Sequence, residues 1–377
     1  MKSILVGNGF NLQIDRQHAL SNRNILLRVE QNLLNKDYTG IFENTITCEE
    51  LRPLLRGLAS LLPEVLSGEF DNYVTDDNEK KTLEQFRRQY TKSSNQYDIG
   101  MEDYFFLMRM EQKRAGDDGP QAFFHAANGM KWIFLDAIYN EGKSQHLTDN
   151  LKKRDFYRIR DMFSGYDNIF TTNYDCNLEE ITGKEVLHLH GSFHILADQY
   201  IKGRLQEYCE RKRGNIVTIT DGWKHIYCNA IMGFCGPEKE HVQQLFKNFD
   251  FGLRGMREHI LSGEINSIED YLPYLEKVPK KDRDFVRYCV EGLLEDISLD
   301  STTYPSDEYE SITGQLDIVG LSPNNDDHIW NAIENNDRLD IIRFFYHSDA
   351  DKEAAERFDD KRILKVPAEQ FWNRRHS

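Results

Sequence analysis

Three polar side chains between residues 169 and 194 could carry out chemistry on a bound ligand. Asn173 and Asp175 follow the apolar run NIFTT, and His190 ends the run EVLHLH; both runs have the pattern of short strands. The strand ends on one edge of an open parallel sheet form the crevice where ligands bind. We therefore expect this amide, carboxylate and imidazole to meet in one crevice and to position a ligand and exchange a proton with it.

Each of these residues also has a structural interpretation. Taken singly, an asparagine after a strand is most often a turn former, and a histidine before glycine is most often a hydrogen-bonded structural residue. The combination TTNYD, then LHGS, in a chain that opens with a strand and the turn GNG favours a functional role for Asn173 and His190.

The N-terminus has the pattern of a nucleotide-binding strand, turn and helix. The apolar run from Ser3 to Val6 is followed at once by Gly7-Asn8-Gly9-Phe10-Asn11. Glycines at such a turn let the backbone approach a pyrophosphate, and the start of a helix favours its charge. The third glycine of the usual motif is absent here, and short G-x-G turns also occur in proteins that bind no nucleotide.

A similar unit recurs near the C-terminus. The run Leu316–Val319 predicts a strand, and Gly320-Leu-Ser322 follows it before a polar loop and a further helix. Backbone N–H groups and a hydroxyl in such a turn could contact the far end of a dinucleotide.

Alternating strands and helices predict an α/β fold, a Rossmann-like doubly wound parallel sheet with large helical insertions. We assign the sheet-containing core to 1–45, 165–200 and 310–377. The segment 46–164 is predicted to be a helical insertion, and 201–309 a mixed, mainly helical one. These two insertions carry no recognisable catalytic motif.

Two features of the insertions are notable. The segments 101–114 and 121–140 carry broad aromatic faces at helical spacing. Packing of helix on helix is the simpler explanation, and a subunit interface is the alternative. The turn at 233–237, Gly-Phe-Cys-Gly-Pro, could place backbone groups beside a ligand.

Composition excludes several classes of protein. The 377-residue chain has a formal charge of -16 and a sequence pI near 5.3, which argues against general nucleic-acid binding and against binding to an anionic membrane surface. No run approaches the roughly 18 apolar residues of a membrane helix. The six cysteines form no C-x-x-C pair. We expect a cytoplasmic protein with free thiols and no zinc.

The motifs resemble a known family. Thr171-Thr-Asn-Tyr-Asp175 together with Leu189-His-Gly-Ser192 resembles the T-[QT]-N-[IY]-D and H-G motifs of sirtuin-like NAD-consuming proteins. Gly7 to Asn11 resembles the G-N-G-F-D opening of the AbiH-type branch, which contains many bacterial antiphage abortive-infection effectors. The turn Gly320-Leu-Ser322 is similar to the family's later G-x-S turn. The order of the motifs is more specific than any one of them, and the helical insertions match none.

The resemblance implies cleavage of the bond between nicotinamide and ribose in NAD+, which is substrate rather than a resident cofactor. Asn173 would position the ribose hydroxyls and the attacking water, Asp175 would hold the carboxamide of nicotinamide, and His190 would act as a general base of near-neutral pKa. Two turns and one strand end would bind the rest of NAD+. Their residues are Gly7, Asn8, Gly9, Phe10 and Asn11 in the first turn, Thr171 and Thr172 after the strand, and Gly320 and Ser322 toward the adenosine half.

Two departures from the sirtuin deacylases favour water as the acceptor. Those enzymes carry a four-cysteine zinc module, whereas this chain has no such spacing. They also follow the first glycines with a serine-rich stretch, where this chain reads NLQIDRQHALSNRN. The expected activity is therefore that of an NAD+ glycohydrolase, which releases nicotinamide and ADP-ribose.

Three alternatives remain open at this point. An NAD-dependent deacylase or ADP-ribosyl transferase would attach ADP-ribose to an acceptor or remove an acyl group. A catalytically silent nucleotide-sensing scaffold subunit would bind NAD+ without turnover. A metal hydrolase could use His188-x-His190, because both side chains would share one face of a strand.

An enzyme that destroys NAD+ in its own host must be restrained until it is needed. We therefore expect a homo-oligomer that works with a separate partner subunit, in family terms an ATPase or another defence component. The aromatic helices at 101–140 are the surface that the sequence nominates for self-assembly.

Overall fold

The computed structural model describes residues 1–42, 45–91, 94–116, 121–215 and 217–373. Within these ranges the chain forms one six-stranded sheet and many helices. The strands are β1 (Lys2–Val6), β2 (Asn168–Thr171), β3 (Leu187–His188), β4 (Gly314–Val319), β5 (Leu339–Tyr346) and β6 (Ile363–Pro367).

Most of the helices lie in the long connections between strands. Short 3-10 turns join several of them. Between β1 and β2 lie α1 (Gly9–Ile14), α2 (Asn22–Asn35), α3 (Thr39–Phe42), α4 (Cys48–Ser60), α5 (Leu62–Ser67), α6 (Asp77–Gln89), α7 (Asp103–Arg114), α8 (Gln121–Tyr139) and α9 (Lys153–Ser164). The later helices are α10 (Asn177–Thr182), α11 (Leu205–Lys212), α12 (Pro237–Leu261), α13 (Ile268–Leu275), α14 (Arg283–Leu294), α15 (Ser306–Glu310), α16 (Asp327–Glu334), α17 (Asp349–Ala354) and α18 (Ala368–Trp372).

The sheet confirms the predicted fold class. All five strand pairings are parallel, and the strand order is β3-β2-β1-β4-β5-β6. The chain therefore winds outward from β1 in two directions, which is the order of a Rossmann-like doubly wound sheet. Such a sheet places its ligand crevice beyond the carboxyl ends of the central strands.

The strand register brings the predicted motifs to one edge. Val6 in β1 is level with Thr171 in β2 and with Val319 in β4, and Thr171 is level with His188 in β3. The four strands therefore end together at this edge. The segments that follow them, which begin at Gly7, Thr172, Leu189 and Gly320, leave the sheet side by side.

A buried ion pair links the neighbouring strands β4 and β5. The guanidinium of Arg343 donates two hydrogen bonds to the fully buried carboxylate of Asp317, at 2.7 and 2.6 Å. The hydroxyl of Tyr166, which precedes β2, donates to the same carboxylate. A bidentate pair of this kind fixes the two strands in register and compensates the burial of the charge.

The aromatic helices α7 and α8 are part of the interior. Tyr104, Phe105, Phe106 and Phe134 are each at most 3% exposed. Their rings pack on one another and on Phe86 of α6, at centroid separations of 5.5 to 5.9 Å. These four rings are therefore not available to a second chain and serve helix-on-helix packing. Phe124 of α8 is 61% exposed, and 101–140 as a self-assembly surface stays a prediction.

Contacts divide the chain into two compact units. The first contains 1–193, 230–240 and 304–377, and so includes the whole sheet together with the helices between β1 and β2. The second contains 194–229 and 241–303, and its core forms around α11 and α14. The boundary at 240 falls inside α12.

All six cysteines are free thiols, and four of them are buried. Among the residues that the structure describes, no helix combines the length and the apolar character needed to cross a bilayer.

Gly7 and Gly9 are required for close packing between the turn after β1 and the turn after β4. A Cβ atom at Gly7 would lie 2.4 Å from the carbonyl oxygen of Gly320, and one at Gly9 would lie 2.6 Å from the Cα atom of Gly320. Backbone atoms cannot move aside as the end of a long side chain can. The two glycines therefore let the ends of β1 and β4 meet.

We predict that Gly7→Ala lowers the free energy of unfolding by about 1–3 kcal/mol, because the added methyl group overlaps backbone. Thermal unfolding followed by circular dichroism measures the change. Gly57→Ala is the matched control, since Gly57 lies within α4 with no atom near its would-be Cβ, and it should raise stability by about 0.5–1 kcal/mol. Equal midpoints for the two variants would contradict the packing role of Gly7.

Candidate active site

A cavity of about 270 Å³ lies in the first unit at the edge where β1 and β2 end. Its walls come from the turns after these strands, the turn after β3, the loop before α16, the starts of α7 and α12, and residues of α2, α6 and α8. Exposed side chains of Asn8 and Asn325 also line it. The polar residues of the wall are Asn8, Asn22, Gln85, Gln89, Glu102, Asp103, Thr172, Asn173, Tyr174, Asp175, His190, Cys235, Lys239, Asn325 and Asp326.

The strand end of β2 holds Asn173 in place. The hydroxyl of Thr171 donates to the carbonyl oxygen of Val6 at 2.9 Å and accepts a bond from the backbone N–H of Asn173 at 3.0 Å. The Asn173 amide lies 3.4 Å from the carbonyl oxygen of Gly7 and is 7% exposed. Thr171 is thus a supporting residue, while Asn173 and Thr172 line the cavity.

Asp175 is held by two asparagines. The Asn11 amide donates to Oδ2 at 2.6 Å, and Asn177 donates to Oδ1 from its side chain at 2.6 Å and from its backbone at 3.2 Å. Burial raises the pKa of Asp175, while these hydrogen bonds act in the opposite direction. Asn11 therefore orients Asp175 and does not itself line the cavity.

His190 lies in the turn just after β3, which is shorter than predicted and ends at His188. Its Nδ1 atom is 3.3 Å from the Lys239 ammonium, and its Nε2 atom is 3.1 Å from Nε2 of His328. An ammonium can only donate, so Nδ1 of His190 accepts, and the ring proton is on Nε2 and faces His328. Both ring nitrogens are therefore already engaged.

The near-neutral pKa expected for His190 is wrong, because the surroundings of the ring lower its pKa. Burial lowers the pKa of His190 well below its usual value, and the charge of Lys239 lowers it further. A charged imidazolium is disfavoured in a buried site and beside another cation. At neutral pH His190 is therefore a neutral hydrogen-bonding residue and a weak base.

Lys239 is a buried cation of the cavity wall. Its side chain is 1% exposed, and its ammonium donates to Oε1 of Glu102 at 2.6 Å. The same oxygen accepts a hydrogen bond from the hydroxyl of Tyr174 at 2.7 Å. Glu102 thus compensates the Lys239 charge and connects it to the TTNYD motif.

Asp326 and His328 extend the cluster from the loop before α16. Asp326 has a left-handed backbone, with φ 58° and ψ 46°, and its Oδ1 atom lies 3.8 Å from Nε2 of His190. Burial raises the pKa of Asp326 to about 6, while Lys239 opposes that rise. Burial also lowers the pKa of His328 to about 3. Asp326 is therefore a carboxylate that titrates close to neutral pH.

Asp103 is a second carboxyl group with a raised pKa. Burial raises the pKa of Asp103 to about 6, although a hydrogen bond from the Tyr90 hydroxyl opposes the shift. That hydroxyl also accepts the backbone N–H of Gly100 at 2.7 Å. Asp103 is thus tied into the wall of the cavity.

The structure does not bring every predicted ligand-binding residue to the cavity. Phe10 is fully buried and packs against the rings of Phe163 and Trp372, at centroid separations of 5.7 and 5.9 Å. The Ser322 hydroxyl accepts the backbone N–H of Asn324 at 3.3 Å, as in a serine turn. Phe10 therefore serves the core, and Ser322 serves its own loop.

The predicted glycines also face one another rather than the cavity. The N–H of Gly7 donates to the carbonyl oxygen of Val319 at 2.8 Å, and the N–H of Gly9 donates to that of Gly320 at 2.9 Å. Neither glycine, nor Gly320, is part of the cavity wall. Asn8, between the two glycines, is the residue of this turn that lines it.

The two histidines of the His188-x-His190 pattern have different partners. Nδ1 of His188 lies 2.7 Å from the carbonyl oxygen of Asn173, and Nε2 lies 2.6 Å from Oε1 of Glu179. Burial disfavours the charged form of His188, but the hydrogen bond and charge of Glu179 outweigh it and raise the pKa of His188. The pair does not converge on one metal position.

A second group of possible metal ligands consists of His190, Asp326 and His328, whose ligand atoms lie within 4.8 Å of one another. A histidine that binds a metal normally donates its other ring N–H to an acceptor. In this protein the other nitrogen of His190 faces the Lys239 ammonium, which would also repel a divalent cation. The donor set therefore does not suit a metal ion.

We predict that the purified protein contains well below one equivalent of zinc per chain. Chelation should leave its activity unchanged, because the charge of Lys239 occupies the place of the acceptor that a metal-bound His190 needs. Elemental analysis and an activity assay with and without chelator measure both quantities. One bound zinc per chain, lost together with activity on chelation, would contradict this expectation.

Sequence reasoning does not identify five charged or titratable residues of the site. Glu102, Asp103, Lys239 and Asp326 line the cavity, and His328 contacts His190. Weak signals existed: an acidic pair precedes an aromatic helix, a lysine follows a Gly-Pro turn, and an Asp-Asp-His run follows the Gly-x-Ser turn. Nothing in the local sequence indicated that three separate segments meet at one site.

Comparison of the chain with protein-family models, with curated proteins and with solved structures finds no match.

Proposed function

We propose that this protein is a sirtuin-like NAD+ glycohydrolase that cleaves NAD+ to nicotinamide and ADP-ribose. One observation carries the proposal: Asn173, Asp175 and His190, which come from two strand ends, line the same cavity at the edge of a Rossmann-like sheet. The motif resemblance assigns all three to a nicotinamide site. Their meeting in one cavity is what such a site needs.

Asn173 is suited to hold the ribose of NAD+, and Asp175 is suited to hold its nicotinamide. The Asn173 amide can donate to a ribose hydroxyl and accept from a water molecule. Oδ2 of Asp175 accepts one bond from Asn11 and keeps a lone pair for the carboxamide N–H₂ of nicotinamide. Both side chains are almost fully buried, so little reorganisation is needed when the substrate binds.

Cleavage breaks the bond between C1′ of ribose and the pyridinium nitrogen. The bonding electron pair leaves with nicotinamide, which becomes neutral, and C1′ passes through an oxocarbenium-like state. Water then forms a bond to C1′ and gives up one proton. Carboxylates around the ribose stabilise the positive charge that develops there.

We assign the general base to Asp326. Its pKa of about 6 lies near the working pH, as efficient general bases require, whereas that of His190 is far lower. Nε2 of His190 is 3.8 Å from Asp326 and carries a proton that faces His328. His190 therefore positions the polar groups of this wall, and Asp326 accepts the proton from water.

The biological role that we propose is antiphage abortive infection by NAD+ depletion, in a homo-oligomer restrained by a separate partner subunit such as an ATPase. The support for this role is the motif resemblance and the danger of unrestrained NAD+ loss. Resolving nicotinamide, ADP-ribose and cyclic product by chromatography tests the activity, and light scattering of the same sample tests the assembly. Full activity from a 44.3 kDa monomer alone would contradict the restrained oligomer.

A further inference from the structure

Three backbone donors of the turn that should bind a pyrophosphate are already used. The N–H groups of Gly7 and Gly9 donate to the carbonyl oxygens of Val319 and Gly320, and the N–H of Phe10 donates to that of Gly7 at 3.1 Å. Helix α1, which follows, has only six residues and so contributes little dipole. The turn therefore serves packing between two strand ends, and these three donors are not available to a phosphate.

The charges of the cavity wall also disfavour a phosphate. Among the described residues that line it, four carry carboxyl groups, and the cation is Lys239, whose charge is compensated by Glu102. Phosphates placed here would meet the remaining carboxylates of Asp103, Asp175 and Asp326 in a low-dielectric site. The same carboxylates attract a positively charged pyridinium ring.

The size of the cavity also fits a pyridinium ring with one ribose better than a complete dinucleotide. Its volume is about 270 Å³. Sites that bury a drug-sized ligand have about 300–1,000 Å³. A complete dinucleotide is larger than such a ligand, whereas a pyridine ring with one ribose is smaller. The cavity thus matches one half of NAD+.

We propose that this cavity recognises the nicotinamide riboside half of NAD+ and that the adenylate half contributes little to binding or turnover. The substrate class is then pyridinium N-ribosides: nicotinamide riboside, its 5′-mononucleotide and NAD+. This inference rests on the proposed glycohydrolase function. In each substrate the bond from C1′ to nitrogen breaks, the electron pair leaves with neutral nicotinamide, water bonds to C1′ and its proton goes to Asp326.

The first test compares kcat/KM for NAD+, nicotinamide mononucleotide and nicotinamide riboside with the full-length protein. Binding energy from remote parts of a substrate normally accelerates the reaction, so an enzyme that uses the adenylate half loses rate when it is removed. We expect the three values to lie within about 100-fold of one another, with the riboside at least equal to the mononucleotide. Cleavage of NAD+ more than about 100-fold better than both smaller compounds would overturn the inference.

The second test measures binding without turnover and separates this inference from the proposed function. Calorimetry with the Asp326→Asn protein, which lacks the proposed base but keeps the ribose-binding side chains, should show that nicotinamide riboside competes with NAD+ for one site and that AMP does not. Competition by AMP without competition by the riboside would overturn the inference. If the wild-type protein cleaves none of the three compounds, the glycohydrolase proposal fails, and this binding series still decides which half of NAD+ the cavity recognises.

Discussion

Asn173→Ala should lower kcat/KM for NAD+ by about 100- to 1,000-fold, the effect of removing one preorganised polar group that acts on the transition state. The Asn173 side chain contributes one long contact, 3.4 Å from the carbonyl oxygen of Gly7. The bonds that hold the strand end use its backbone: the N–H donates to Thr171, and the carbonyl oxygen lies 2.7 Å from Nδ1 of His188. The variant should therefore keep the fold.

Asn168→Ala is the matched control for this change. Asn168 lies at the opposite end of β2, where its amide donates to the hydroxyl of Ser3 at 3.1 Å. The same substitution on the same strand should leave NAD+ turnover within about twofold of the wild type, because surface changes away from a site are usually small. Near-wild-type turnover by Asn173→Ala, with normal thermal unfolding, would remove Asn173 from the catalytic site.

Asp326→Asn should lower kcat by about 100- to 10,000-fold, the usual contribution of a general base. Asparagine has almost the same shape as aspartate and tolerates the left-handed backbone at this position, so the loop before α16 should be kept. The variant retains the polar oxygen but cannot accept the proton of the attacking water. Loss of rate with an unchanged KM would mark an interaction made in the transition state.

The dependence of kcat/KM on pH tests independently whether Asp326 is the general base. Burial raises the pKa of Asp326 to about 6, Lys239 opposes the rise, and Glu102, Asp103 and Asp327 reinforce it. A base acts only when deprotonated, so kcat/KM should be constant above this pKa and fall as the pH drops through about 6. The acid limb should be absent from Asp326→Asn.

Three variants distinguish Asp326 from its neighbours. Asp327→Asn changes the adjacent carboxylate, which pairs with Arg88 and Arg357, and should keep both the turnover and the acid limb. His190→Ala should reduce turnover yet keep the fall of kcat/KM near pH 6, because the pKa of His190 is far lower. Suppose the fall of kcat/KM at acid pH persists in Asp326→Asn but disappears in Asp103→Asn. The titrating group would then be Asp103, whose pKa is also about 6.

The fold could be predicted because its signals are local. Each of the runs at Ser3, Ile169, Leu316 and Leu339 is apolar and bounded by turn residues, and parallel pairing follows from the long helical connections between them. The register then places Asn173, Asp175 and His190 at one edge, as expected. The predicted strand EVLHLH is shorter in the structure, where only Leu187 and His188 pair with β2.

The remainder of the site could not be predicted, because tertiary contacts determine it. Glu102, Lys239 and Asp326 come from segments separated by more than eighty residues, and local sequence carries no signal of their meeting. The charge state of His190 depends on its burial and on the Lys239 ammonium, and both are properties of the folded chain. The glycines at 7 and 9 fit either a phosphate turn or close packing, and only the Gly320 contact distinguishes these uses.

The most direct measurement of the central claim is chromatography of NAD+ after incubation with the purified protein. We expect nicotinamide and ADP-ribose to form in equal amounts, with Asn168→Ala as active as the wild type and Asn173→Ala leaving NAD+ almost intact. NAD+ that remains intact with the wild-type protein in every assembly state, or equal cleavage by wild type and Asn173→Ala, would contradict the assignment of this cavity as an NAD+ glycohydrolase site.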